Sequence, residues 1–132
     1  MHSDILTKSI DRAQADANIL TLVTAAKIYN HVPKDTSPPY LRITWSEAED
    51  VADKQTEFTS GTLSFDYWTD QDGDLDVLDM MNFITDAFDR TPLVLTEGST
   101  NLLITRTGYN TFLEGDGLSH HGIITFNLLI EE

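Results

Sequence analysis

The sequence predicts one α+β domain over residues 1–132, with a mixed or antiparallel sheet of about four to five strands packed by an N-terminal helix and one long amphipathic helix. Three observations carry that expectation. The hydrophobic period changes from two residues at Thr62–Trp68 to a helical one at Leu75–Arg90. Two further strand-like runs close the chain around a glycine-rich turn. No internal repeat, low-complexity stretch or domain linker interrupts the 132 residues.

In chain order, Ser3 or Asp4 is placed to cap a first helix whose inner face is Ile5 or Leu6, Ile10, Ala13 and Ala17, ending near Asn18. Asp16 or Asn18 then starts a second short helical turn through Leu20 and Val23. Ile28, Tyr29 and Val32 form a brief extended segment ended by Pro33, and Pro38–Pro39 holds the backbone extended before Tyr40. Leu41, Ile43 and Trp45 alternate with Tyr40, Arg42 and Thr44 as a strand beside Leu63–Trp68. In the latter, Leu63, Phe65 and Tyr67 face the core, and Thr62, Ser64 and Asp66 face away.

Between those strands, Ser46–Ser60 is a polar connection carrying Glu47, Glu49, Asp50, Asp53 and Glu57 against Lys54 alone. A connection of that length is either functional or an extended hairpin arm with a solvated tip. At 100° per residue, Val77, Met80, Met81, Ile84, Ala87 and Phe88 share one arc of the long helix. Burying them stabilises the fold by on the order of 10 kcal/mol, an upper figure because the unfolded chain is already partly compact. Leu75, Leu78 and Phe83 lie off that arc and extend the apolar surface toward a second contact. Thr91 and Pro92 stop the helix, and Leu93–Leu95 is read as a short edge piece. Leu102–Tyr109 and Ile123–Ile130 then form a long hairpin with its turn at Glu114–Gly117. In the last strand Ile124, Phe126, Leu128 and Ile130 share one face, while Ile123, Thr125, Asn127 and Leu129 share the other.

Composition narrows the function. Against 8 Lys plus Arg stand 22 Asp plus Glu, a formal charge of -14, which disfavours wrapping nucleic acid because that mode needs clustered cations. Cysteine is absent, which removes disulfides, thiol catalysis and thiolate zinc sites. The longest apolar run, Ile123–Ile130, is far below the roughly 20 residues of a membrane span, and the N-terminal stretch lacks the apolar core of a secretion signal. No membrane association is expected.

Candidate chemistry is thin. Asp70–Asp76, "DQDGDLD", offers the alternating carboxylates that Ca²⁺ prefers, but a calcium loop counted from Asp70 requires a glycine where Leu75 stands and a glutamate where Met81 stands. Aspartates at a helix N-terminus instead satisfy free N–H groups and oppose the positive end of the helix dipole. His120 and His121 are adjacent on a strand, so they point to opposite faces and do not chelate one metal. With His31 and His2, which have no ligand spacing to them, they are expected to be ordinary surface or interface histidines. No serine sits in a nucleophile-elbow pattern, and no phosphate-binding or dinucleotide glycine motif is present. The residues therefore point to an interaction or structural module, not an enzyme, with no catalytic residue, metal or cofactor.

The block "IYNHVPKDTSPPYLRI" from Ile28 to Ile43 carries an Ile-Tyr, a Val-Pro and a Pro-Tyr before a strand. It follows a first helix and precedes the Leu63–Trp68 strand, the Leu75–Arg90 helix, a Leu-rich segment and a final apolar strand. This order resembles the tail terminator or tail completion proteins of long-tailed bacteriophages and related gene transfer particles. The acidic Asp70–Asp76 turn and Glu47–Glu57 loop depart from the pattern. The resemblance implies a virion protein, assembled in the host cytoplasm, that caps the head-proximal end of the tail tube as a six-membered ring. Such a ring would halt tube growth, meet the tail tube protein and the head connector or neck protein, and let DNA pass without specific binding. The candidate subunit or tube interface is Leu75, Leu78, Phe83, Ile123, Leu129, Glu47, Glu49, Asp50 and Asp53. The alternatives are another head–tail connector or neck component and, from a different class, a calcium-regulated binding domain using Asp70–Asp76.

Overall fold

The computed structural model describes residues 3–48, 58–70, 75–96, 98–113 and 119–131. Helix α1 spans Ser3–Ala15 and is followed by single 3-10 turns at Ile19–Thr21 and Ala25–Lys27. Strands β1 (Ile28–Tyr29), β2 (Tyr40–Glu47) and β3 (Phe58–Thr69) lead to helix α2 (Leu75–Phe88), and β4 (Thr100–Leu113) and β5 (His120–Glu131) complete the fold. The five strands make one mixed sheet in the order β1-β2-β3-β5-β4. Among the described residues only β1 on β2 is parallel; the other pairs are antiparallel. The α+β expectation is met.

Both helices pack on the same face of the sheet, α1 over β1 and β2, α2 over β3, β5 and β4. The alternation read in the sequence decides which side chains they meet. Leu63, Phe65 and Tyr67 of β3 and Ile124, Phe126, Leu128 and Ile130 of β5 are fully buried there, under Val77, Met80, Met81, Ile84 and Phe88 of α2. Phe65 lies 4.6 Å from Phe88 and 5.6 Å, edge-on, from Phe126, so three rings join two strands and the helix at offset geometries that their quadrupoles favour. A methyl group on Gly122 would come within 2.5 Å of Val77 Cγ1, so α2 sits as low on β5 as it does because that position has no side chain.

The C-terminal end of α2 is satisfied by long-range contacts. Arg12 of α1 donates to the carbonyls of Ala87, Thr91 and Pro92 at 3.2, 2.6 and 2.9 Å and lies over the Phe88 ring, a cation at the negative end of α2. Burial lowers its pKa from the usual guanidinium range. Arg90 adopts a left-handed conformation at φ 58°, and its N–H donates to Ile104 O, turning the chain from α2 onto β4. Asp16 Oδ1 accepts the N–H groups of Asn18 and Ile19 and so opens the Ile19–Thr21 turn, one of the two residues expected to do so.

Several boundaries differ from those expected. α1 ends at Ala15, so Ala17 is exposed and does not join the inner face; the Asp16 cap takes over the backbone there. Leu93–Leu95 forms no strand. Instead Asn101 Oδ1 accepts the Leu93 N–H at 2.8 Å while its Nδ2 donates to Leu103 O and Leu129 O, a side chain doing what a ladder would. The polar connection is shorter than Ser46–Ser60: β2 runs to Glu47, β3 starts at Phe58, and Ala48 N–H still donates to Ser60 O, which matches the hairpin-arm alternative at its described base. Residues 49–57, the greater part of Asp70–Asp76 and the Glu114–Gly117 turn lie outside the described residues.

The fully buried Ile84 and the exposed Asp86 separate the two faces of α2. Ile84→Asp is expected to cost about 3–5 kcal/mol and unfold the domain, whereas Asp86→Asn should change stability by less than about 0.5 kcal/mol. Urea titration of both variants checks the contrast, and equal losses would contradict this helical register.

Candidate assembly surface

The sheet face opposite the helices holds the most polar structure in the fold. Tyr40, Trp68, His121 and Phe112 are direct partners across the four adjacent strands β2, β3, β5 and β4. Tyr40 stacks on Trp68 at 4.9 Å, Trp68 stacks on His121 at 4.1 Å, and Phe112 meets the His121 ring edge-on at 4.5 Å. Beside this ladder, Asp66 Oδ1 lies 3.0 Å from His121 Nε2, and Asp66 Oδ2 lies 3.3 Å from Arg42 Nη2. The Arg42 guanidinium is 5.1 Å over the Trp68 ring.

Asp66 and His121 are only 5% and 7% exposed, although one was expected on the solvent face and the other as a surface or interface histidine. Their burial is a register effect: Trp68 and Phe112 flank the imidazole across the strands, and the imidazole and Arg42 close on Asp66. His121 does point to the face opposite its neighbour His120, as adjacent strand residues must. The carboxylate and imidazole resemble two members of a catalytic triad, but rings flank the imidazole. The pair works as a clamp between β3 and β5. A different tyrosine is perturbed on the helix side: Tyr67, fully buried, has its pKa pushed up to about 12, first by burial, with Asp76 and Asp70 adding to the rise against a lowering hydrogen bond from Thr69.

Among the described residues, half of the exposed large apolar side chains lie on β4. Leu102, Leu103, Tyr109, Phe112 and Leu113 are between 37% and 58% exposed, and two register shifts, at Leu102 and at Thr107, twist the strand so that Leu102 and Leu103 are both uncovered. Across β4's 14 residues the charged side chain is Arg106 and there is no carboxylate. Edge strands are ordinarily guarded by charge, proline or cover. Here the cover is partial: Arg90 N–H bonds Ile104 O and Asp89 Oδ1 accepts the Arg106 N–H, closing the middle of the edge with the end of α2. A groove of about 290 Å³ remains between α2 and β4, lined by Leu78, Met81, Asn82, Arg106 and Tyr109.

Of the residues singled out from the sequence, Leu75 and Leu78 are exposed on α2 at 69% and 42%, and Leu78 lines this groove. Phe83 is half-buried against the core. Ile123 and Leu129 are half-buried on the outer face of β5, and Ile123 lines a shallow hollow with Gly108, Tyr109, Asn110 and Thr125. Glu47 ends β2, where Trp45 Nε1 donates to its carboxylate at 3.3 Å. Glu49, Asp50 and Asp53 lie outside the described residues. Leu78 lines the groove and Ile123 the hollow, both against β4, Leu129 is the cross-strand partner of Leu103 on β4, and Phe83 packs toward the core. The exposed residues of β4 itself escaped sequence reasoning; the readable signal was a carboxylate-free strand in so acidic a chain.

Asp66→Ala should cost about 2 kcal/mol, because it strips a buried imidazole and a half-exposed guanidinium of their shared acceptor. His121→Ala made on top of it should cost less than His121→Ala alone, and denaturant unfolding of the two single variants and the double variant measures that coupling.

Comparison with known proteins finds no similar curated protein. Among solved structures, a chain in the virion of a native gene transfer agent (GTA) particle superposes with a TM-score of 0.81 at 19% identity, covering 96% of this chain and 93% of that one; at such identity the likeness is one of fold. The sequence pattern described as tail completion protein gp17 matches residues 10–131. Because that match takes in β1 to β5 and both helices, all but the start of α1, this chain belongs to the tail completion protein gp17 family.

Proposed function

We propose that this protein is a structural component of the virion that caps the head-proximal end of the tail tube as a six-membered ring, halting tube growth and offering the surface that joins tail to head. The family match over residues 10–131 carries this reading, and the fold shared with a chain of a gene transfer agent virion supports it. Its partners are other copies of itself, the tail tube protein and the head connector, and its action is contact, not catalysis. The exposed apolar residues of β4 and α2 suit burial between subunits. The acidity suits a channel that DNA crosses without sticking, since carboxylates repel phosphate.

Electron microscopy of particles assembled with and without the protein tests the role. Without it, tails are expected to run to irregular length and to remain unjoined to heads. Tails of normal length that fail to join would move the protein to the neck, and normal joined tails would end the proposal.

Charge governs assembly in solution. A hexamer gathers a formal charge of about -84, six times -14, within distances comparable to a Debye length of about 10 Å at 0.1 M salt. Mostly monomer is expected in dilute low-salt solution, with the oligomer fraction rising as salt screens the repulsion and the tube end acting as template in the particle. Sedimentation from low to moderate salt checks this; a stable hexamer at low micromolar protein and low salt would contradict it.

A further inference from the structure

Resting on the ring reading, we propose which surfaces meet: the β4 edge of one copy, with its α2 groove, packs against the β1 edge of the next copy, head to tail. The distribution of charge points there. Of the chain's 22 acidic residues none lies in β4, and only Asp35 lies in the segment 17–39 that leads into and out of the opposite edge strand β1, where Lys27 and Lys34 stand. The remaining carboxylates fall on the helices, on β2, β3, the end of β5 and the connections. Two copies of so acidic a chain therefore approach with least repulsion through their sheet edges.

The two edges are also unlike. Beside β4, Asp89 follows the end of α2 and accepts the Arg106 N–H, α2 itself carries Asp79 and Asp86 off its buried face, and the lysines around β1 are of opposite sign. The groove between Leu78 and Tyr109 gives the contact an apolar seat. Because β1 and β4 end the same sheet, their contact joins two different patches, which is the kind that closes into a ring. Pairing of β4 with a second β4 would instead be two-fold and stop at a dimer.

The chain has no cysteine, so introduced thiols are unique. Tyr109→Cys on β4 and Lys34→Cys at the β1 edge are made singly and together, with exposed Asp11→Cys on α1 as control, and joined by a short bis-maleimide in moderate salt and on assembled tails. The double variant should give a ladder of dimer, trimer and higher species, more than about tenfold above the control, because neighbours in a ring hold the two thiols at high effective concentration. Each single variant should give no ladder, and a mixture of the two should stop at dimers. A strong dimer from Tyr109→Cys alone would overturn the proposal in favour of two-fold pairing. Rings seen by microscopy of the same tails with no ladder above control would overturn the edge assignment while leaving the ring intact. No ring and no ladder on those tails would overturn both.

Discussion

The antiparallel register of β3 on β5 is the constraint on which the rest of this fold depends. Phe58 to Thr69 pairs residue for residue with Glu131 to His120, without a bulge. Period two then sends Leu63, Phe65 and Tyr67 to the same side as Phe126, Ile124 and Gly122, and a one-residue slip would send them all to the other. The core under α2, the low seat of that helix on Gly122, and the stacking of Trp68 on His121 are three results of this one alignment.

The same register makes the two sheet faces unlike. One is an ordinary apolar core, closed by helices and clamped where Arg12 holds the end of α2. The other carries a crosswise line of rings over an aspartate and a histidine, a polar arrangement that gives the open face rigidity without helix cover. The order of these rings is set within the chain itself.

Charge and exposed apolar surface are separated in space. The carboxylates crowd the connections and the polar side of α2, and β4 has none while its leucines and aromatic rings stand uncovered. Were copies to assemble through their sheet edges as proposed, this division would let net charge keep them apart in dilute solution while the acid-poor edges met on a template.

Local chemistry made much of this legible in the residues themselves. The alternation in Leu63–Tyr67 and Ile124–Ile130 and the arc Val77–Phe88 marked the buried faces, because burial on a strand or helix follows its period whatever lies across from it. The block Ile28–Ile43, together with the order of elements around it, pointed to the family. What the residues did not show was pairing between distant segments. The burial of Asp66 and His121 depends on four strands bringing Tyr40, Trp68, His121 and Phe112 into line, and the loss of a strand at Leu93–Leu95 depends on Asn101 arriving there with a side chain of the right length. The exposure of β4 depends on its being last in the sheet, at β5's far side. Periodicity records which way a side chain points; only the tertiary structure decides what stands opposite it, because strand order and register are set by contacts between residues far apart in the chain.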